Sequence, residues 1–188
     1  MTGWRAVVPI KQGALGKSRL SPLFDPAQRD DLVGRMADHV LHTLSKVSAL
    51  AQIDVLSPRR IAGWTGAWQR DLGRGLNAEL QAWRASVWPS PVLVVHADLP
   101  LLGAADIDAL LMAAQQHGVA LAHDRAGLGT NALAIADGRD FHYCFGQDSC
   151  RRHLAQGADM ALVAREGLMI DLDTPDDALA LCALGLTL

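Results

Sequence analysis

Apolar residues along this chain occur either in short continuous runs or at helical spacing. Short apolar runs bounded by turn residues predict strands at 6–10, 53–56, 91–96, 119–123 and 131–135. Helical spacing predicts helices at 25–47, 77–85, 104–117 and 149–156 and from 174 onward. Strands that alternate with helices predict an α/β sandwich with a mostly parallel sheet, in one domain spanning residues 1–188.

Capping residues mark where several of these helices begin. Asp25 and Thr174 each precede a proline, which is favoured at the first helical position. Asn77 is predicted to cap the helix that follows it. Asp176 and Asp177 have a structural explanation as first-turn acids, because carboxylates are favourable near a helix N-terminus.

Composition limits the classes of partner. A formal net charge of −3 argues against a nucleic-acid partner, which would favour a basic surface. The apolar runs are too short to span a bilayer, so no membrane partner is predicted. Pro9 and Lys11 interrupt the N-terminal apolar run, which predicts a cytoplasmic chain without a signal peptide. The cysteines show no metal-site spacing and are interpreted as reduced thiols at Cys144, Cys150 and Cys182.

Asp98 is the first candidate for chemistry. It follows the apolar run at 91–95, which is typical of a strand buried on both faces of a parallel sheet. Ligands of open α/β sheets bind beyond the carboxyl ends of the strands, and Leu99-Pro100 turns the chain away at that point. Asp98 is therefore either a metal ligand or a helix-cap or turn residue.

A second pair of acids lies near the end of the chain. Asp171 and Asp173 point to the same face if their segment is extended, because side chains alternate with a period of two. Two carboxylates on one face repel each other unless a cation lies between them, and such oxygen-rich sites suit Mg²⁺. We expect this pair to join Asp98.

Three loops could hold anions. The loop 11–20 combines glycines with three cations but lacks P-loop spacing, because Lys11 stands where the first P-loop glycine belongs. It is either a phosphate-handling loop of another kind or a solvated basic turn. Gly129-Thr130 and Gly146 with Ser149 follow the pattern of a site for a small phosphorylated acid, although Ser149 would also serve as a helix cap.

Taken together, these motifs resemble one family from the first strand to the last helix. The specific blocks are Gly129-Thr-Asn-Ala-Leu133 and Asp171-Leu-Asp-Thr-Pro175, joined by Val8–Lys11, Gly16–Leu20, Gly75–Asn77, Ala97–Leu101 and Phe145-Gly146 with Ser149 and His153. The set is similar to the 2-phospho-L-lactate guanylyltransferases, also described as phosphoenolpyruvate guanylyltransferases, of coenzyme F420 biosynthesis. Gly16 departs from the alanine usual in that family, and the residues before Asp98 vary within it.

This resemblance implies a Rossmann-like fold of the nucleotide-diphospho-sugar transferase type. It also implies transfer of GMP from GTP to the phosphate of a three-carbon acid, with release of pyrophosphate. By motif, the implied Mg²⁺ ligands are Asp98, Asp171 and Asp173, and the implied catalytic residues are Asp98 and Lys17. Implied nucleotide contacts are Lys11, Lys17, Arg19, Gly75 and Asn77, and implied acceptor contacts are Thr130, Gly146 and Ser149.

Two other functions remain open from the sequence. One is a nucleotidyltransferase or glycosyltransferase of the same fold that uses another nucleotide or a sugar acceptor. The other is a non-catalytic GTP-binding module, against which the three acids argue. The choice among phosphoenolpyruvate, 2-phospholactate and 3-phosphoglycerate is open, as is assembly into a homodimer.

Overall fold

The computed structural model describes residues 3–11, 17–157 and 159–186. The strands are β1 (Trp4–Pro9), β2 (Leu50–Ser57), β3 (Ala67–Arg70), β4 (Val92–Val95), β5 (Val119–His123), β6 (Thr130–Ile135) and β7 (Met160–Leu162). The helices are α1 (Pro26–Ser45), α2 (Leu76–Val87), α3 (Ala104–His117), α4 (Ser149–Leu154), α5 (Glu166–Met169) and α6 (Pro175–Ala183). A 3₁₀ turn occupies Ser18–Leu20.

The strands form one seven-stranded sheet in the order β3-β2-β1-β4-β6-β5-β7. Within the described residues, β6 alone runs antiparallel to its neighbours β4 and β5. The expected α/β class with a mostly parallel sheet is therefore confirmed. The chain moves from β1 out to β2 and β3 and then returns to β4 on the other side of β1. This reversal creates a switch point between β1 and β4, where open α/β sheets bind their ligands.

Helices cover both faces of the sheet, so alternate strand residues belong to different cores. Val92 and Val94 of β4 pack with α2, whereas Leu93 and Val95 pack with α1 and α3. All four side chains are buried, which explains why the sequence of this strand is a continuous apolar run. A third apolar cluster joins α1, α6 and the 3₁₀ turn through Leu20, Leu32, Met36, Leu172, Ala178 and Leu181.

Helix capping follows the sequence at two helices and departs from it at a third. Asp25 and Thr174 both form capping boxes, as their positions before proline predict. The prediction that Asn77 caps α2 is wrong. This helix begins at Leu76, and the N-cap is Gly75, whose φ of 93° is accessible to glycine and rarely to other residues.

Three short elements, β3, β7 and α5, were not predicted from the sequence. Trp68 in β3 donates from Nε1 to Ser57 Oγ (3.1 Å), and Arg60 stacks over its ring at 4.9 Å. These contacts pack Trp68 against its own neighbours at the sheet edge. None of the helices in the described residues is long and apolar enough to cross a membrane. All three cysteines are free thiols.

Candidate active site

Asp98 lies just beyond the carboxyl end of β4, beside the switch point of the sheet. Its Oδ2 accepts a hydrogen bond from the Lys17 ammonium. Its Oδ1 is buried and has no hydrogen-bond partner among the described residues. The helix-cap alternative for Asp98 does not hold, because Gly103 is the N-cap of α3. A buried carboxylate oxygen without a partner is costly, and a bound cation would remove that cost.

A backbone hydrogen bond brings the second acidic pair to Asp98. The N–H of Leu172 donates to the carbonyl oxygen of Asp98 (3.1 Å). The Leu172 side chain is fully buried in the third apolar cluster, so the side chains of Asp171 and Asp173 face the other way. One carboxylate oxygen from each of the three acids lies within 4.8 Å of the others. The acids singled out in the sequence are thus together, and their role as metal ligands stays a prediction.

Asn131 ties the acidic segment to the sheet from the opposite side. This buried side chain donates from Nδ2 to the carbonyl oxygen of Leu168 (3.1 Å) and reaches Asp171 Oδ1 at 3.5 Å. The backbone carbonyl oxygen of Asn131 accepts from the backbone N–H of His96, the residue directly after β4 (2.9 Å). Asn131 therefore links the end of β4, β6 and the backbone that leads into the acidic segment.

The three carboxylates differ in how readily they ionise. Burial and the neighbouring charges of Asp98 and Asp173 raise the pKa of Asp171 to about 6. Burial is the largest influence on Asp98 and opposes its ionisation, but the charge and hydrogen bond of Lys17, together with nearby His96, hold the pKa of Asp98 below its usual range. A divalent cation would stabilise the charged form of all three, because it is the strongest local charge in such a site.

Lys17 places a positive charge among these acids. Its ammonium pairs with both Asp98 and Asp173, and its side chain is only 9% exposed. Burial lowers the pKa of Lys17, but the two carboxylates outweigh burial and raise it. The backbone of Lys17 is left-handed (φ 53°), a conformation that costs a non-glycine residue energy. The acids thus attract a cation, and here an ammonium supplies the charge.

A second group of candidate residues surrounds the start of α4. Thr130 begins β6 and Ser149 begins α4, and both are buried. The N–H of Cys150 donates to Leu128 (3.0 Å), which holds α4 against the loop before β6. The N–H of Ser149 donates to the carbonyl oxygen of Gly146 (3.1 Å), so this hydrogen bond connects two of the three predicted acceptor residues. Ser149 is not a helix cap, because Asp148 holds that position.

Asn77 connects the predicted nucleotide side of the site to this acceptor side. Its Oδ1 accepts from the N–H of Phe145 (2.8 Å), and its Nδ2 donates to the carbonyl oxygen of the same residue (3.0 Å). Gly75 lies two residues earlier, in an exposed loop. The Asn77 amide thus fixes the backbone next to Gly146, which the sequence did not reveal.

The remaining predicted nucleotide contacts are exposed cations. Lys11 lies two residues after the end of β1, and Arg19 lies in the 3₁₀ turn. Both side chains are exposed, as anion-binding groups at a cleft edge would be. Residues 12–16, which include Gly16 of the predicted phosphate loop, lie outside the described residues.

Comparison with known proteins identifies the family. Residues 4–185 match the family model described as "Guanylyl transferase CofC like". The chain belongs to this family. Curated relatives agree: the phosphoenolpyruvate guanylyltransferase of Streptomyces coelicolor is 36% identical over 97% of this chain and 91% of its own length. The 3-phospho-D-glycerate guanylyltransferase of Phenylobacterium zucineum is 33% identical over 92% of this chain and 87% of its own length.

Solved structures of low identity share the fold of this guanylyl transferase family member. A Desulfovibrio desulfuricans protein, provisionally described as a nucleotide-diphospho-sugar transferase, matches with a TM-score of 0.75 at 14% identity, over 96% of this chain and 87% of its own. The 2-C-methyl-D-erythritol 4-phosphate cytidylyltransferase of Thermus thermophilus matches with a TM-score of 0.60 at 15% identity, over 98% of both chains. The implied fold type is therefore confirmed.

Two residues at the site had no role in the sequence interpretation. His96 directly follows β4, and its Nε2 is buried without a hydrogen-bond partner in the described residues. His153 is fully buried and bonds Thr130. His96 could have been found from the sequence, because its spacing of two from Asp98 places both side chains on the same face of an extended segment. His153 was named in the family resemblance without a role, because no local pattern reveals a hydrogen-bond partner 23 residues away.

The guanylyl transferase fold holds the loop before α2 through Glu79. Its buried carboxylate accepts from the N–H of Leu72 (2.9 Å) and pairs with the Arg74 guanidinium (2.7 Å). The Arg74 hydrogen bond lowers the pKa of Glu79 to about 2 against the opposing effect of burial, and backbone donors act in the same direction. Gly75, a predicted nucleotide contact, belongs to this loop.

Replacing Glu79 with glutamine is expected to destabilise the fold by about 1 kcal/mol at neutral pH, because a charged acceptor is lost beside a half-exposed arginine. Since the folded pKa of about 2 lies below the ordinary 4.5, this stabilisation is complete above pH 4.5 and is lost as the pH falls toward 2. Urea unfolding of wild type and Glu79→Gln at several pH values checks this, with the exposed Glu166→Gln as control. A difference that grows toward low pH would contradict it.

Proposed function

We propose that this chain transfers GMP from GTP to the phosphate of a three-carbon phospho-acid: phosphoenolpyruvate, 2-phospho-L-lactate or 3-phosphoglycerate. An oxygen of the acceptor phosphate attacks the α-phosphorus of GTP. The bond from that phosphorus to the oxygen bridging the β-phosphate breaks, and pyrophosphate leaves. The convergence of Asp98, Asp171 and Asp173 at the switch point of a guanylyl transferase sheet carries this proposal. The product would serve coenzyme F420 biosynthesis.

The chemistry asks for alignment and charge neutralisation rather than for a strong base. The acceptor phosphate is already anionic near neutral pH, because its second pKa is about 6. Catalysis of phosphoryl and nucleotidyl transfer is mostly positioning plus electrostatic stabilisation of the charge on the transferred group. The cations and carboxylates of this site supply those two functions.

A divalent cation fits the acidic cluster. Asp98, Asp171 and Asp173 offer only carboxylate oxygens, which are hard ligands, and Asp98 Oδ1 is buried without a partner in the described residues. We propose Mg²⁺ as the cation. When bound, it would neutralise charge on the phosphates of GTP and on the leaving pyrophosphate.

The two substrates would approach from opposite sides of these acids. Lys11, Lys17 and Arg19 would bind the triphosphate, since all three follow β1 on the switch-point side. Gly75 and Asn77 would lie near the base, with Asn77 also fixing Phe145. The acceptor's phosphate and carboxylate would be held by Thr130, Gly146 and Ser149.

Domain organisation and cellular location are part of the same proposal. We propose that residues 1–188 form one nucleotidyltransferase domain, which fits the family match over residues 4–185. A cytoplasmic location fits three free cysteines and a nucleotide substrate. A homodimer stays a prediction.

Pyrophosphate release from GTP, Mg²⁺ and each of the three acceptors tests the function directly. Release with at least one acceptor, and a guanylylated product of matching mass, is the expected result. If folded protein releases no pyrophosphate with any of the three acceptors, the proposed function is excluded. Release from CTP, ATP or UTP would favour a related nucleotidyltransferase, and GTP binding without turnover would favour a binding module. All three acceptors in one tube would then give the preferred substrate.

A further inference from the structure

His153 lies in an enclosed aromatic environment behind the proposed acceptor site. The side chain is fully buried in α4. The Phe141 ring stacks against it with centroids 5.7 Å apart, and the Phe145 ring meets it edge-on at 5.0 Å. Both nitrogens of the imidazole nevertheless have polar partners. Nδ1 is 3.0 Å from Thr130 Oγ1, and Nε2 is 2.8 Å from the backbone nitrogen of Cys144.

These two partners fix where the ring carries its proton. The Cys144 N–H can only donate, so Nε2 accepts and bears no hydrogen. A neutral imidazole then has its hydrogen on Nδ1, which donates to Thr130 Oγ1. The opposite tautomer and the imidazolium would both aim an N–H at the N–H of Cys144. Burial and then the nearby Arg152 charge lower the pKa of His153 to about 4, which keeps the ring neutral.

The tautomer determines what Thr130 can do. A hydroxyl has one hydrogen to donate and accepts through its lone pairs. Because His153 donates to Thr130 Oγ1, the hydroxyl hydrogen of Thr130 is left to donate elsewhere. Thr130 starts β6 one residue before Asn131, which contacts the acidic segment. Thr130 is among the residues proposed above to hold the acceptor, so this hydrogen is available to a phosphate or carboxylate bound there.

We infer that His153 is a positioning residue that holds the Thr130 hydroxyl as a hydrogen-bond donor to the phosphorylated acceptor. This inference rests on the proposed function. The histidine does not touch the substrate and does not exchange a proton with it. Its two hydrogen bonds set the direction of another residue's hydroxyl and the position of the Cys144 backbone, which leads into Phe145 and Gly146.

Two substitutions separate the two hydrogen bonds of His153. In His153→Asn the shorter amide reaches the place of Nδ1 and can donate to Thr130. In His153→Gln the longer amide reaches the place of Nε2 and can accept from Cys144. Each variant loses one buried hydrogen bond, so both are expected to lose similar stability. A merely structural role would therefore affect their kinetics equally.

We expect His153→Gln to raise the KM for the acceptor by about tenfold or more, since it loses a bond that orients a donor to a charged group. The KM for GTP should change little. His153→Asn should restore the acceptor KM toward wild type. In a Thr130→Val background, His153→Gln should raise the acceptor KM no further. His142→Gln, an exposed neighbour, serves as the control.

Nitrogen-15 NMR of the His153 imidazole measures which ring nitrogen is protonated, and this measurement does not depend on turnover. The expected spectrum shows a neutral ring protonated at Nδ1. A ring protonated at Nε2, or equal acceptor KM values for the Asn and Gln variants, would overturn the inference. A wild-type protein that releases no pyrophosphate with any acceptor would instead refute the proposed function, so the two failures are distinguishable.

Discussion

Replacing Asp98 with asparagine is expected to lower kcat/KM for guanylyl transfer by about a thousandfold or more. Asp98 supplies the carboxylate closest to the end of β4, and its Oδ1 is the buried oxygen that a cation would satisfy. An amide keeps the shape of the side chain but removes the negative charge, and its nitrogen cannot bind a cation. Steady-state pyrophosphate release, with saturating Mg²⁺ and GTP, measures the loss.

The fold gives this experiment a close control. Asp176 is an exposed first-turn acid of α6, three residues after Asp173 but outside the cluster, so Asp176→Asn changes the charge equally. It should retain near-wild-type turnover. Thermal unfolding with and without Mg²⁺ and GTP separates cation binding from folding, because ligands raise the midpoint only of a protein that binds them. Asp98→Asn with more than a tenth of wild-type activity would contradict the proposed metal site.

The acidic cluster shows how far sequence reasoning can reach. Asp171 and Asp173 were expected on one face because their spacing is two, and Leu172 between them is buried in the core as that spacing requires. A buried strand shortly before Asp98 was evident from the continuous apolar run at 91–95. Local patterns were sufficient here because strand ends of an α/β sheet meet at one edge.

Long-range contacts explain what the sequence did not reveal. Asn77 had the residue type of a helix cap, but its amide bonds the backbone of Phe145, which is 68 residues away. Gly75 caps α2 instead, through a positive φ that no side chain signals. The strand β3 is four residues long and lies at the sheet edge, where little apolar periodicity is required. Such choices depend on tertiary partners, not on local propensity.

Lys17 links the two halves of the proposed mechanism. Its ammonium pairs with Asp98 and Asp173, two of the three acids proposed to hold the cation. The same charge lies in the loop proposed to bind the triphosphate. An ammonium and a divalent cation near the same carboxylates repel each other, so the lysine competes with the cation until GTP phosphates offer it another partner.

The Lys17→Met variant should therefore change two properties in opposite directions. Turnover is expected to fall by about a hundredfold or more, because a positive charge beside the transferred phosphate is lost. Affinity for Mn²⁺ or Mg²⁺ without GTP is expected to rise, because the side chain keeps its length but no longer neutralises the carboxylates. Steady-state kinetics and calorimetric titration measure the two effects. Lys46→Met, at the exposed end of α1, should change neither. Weaker cation binding by Lys17→Met would mean that the lysine only supports the site's structure.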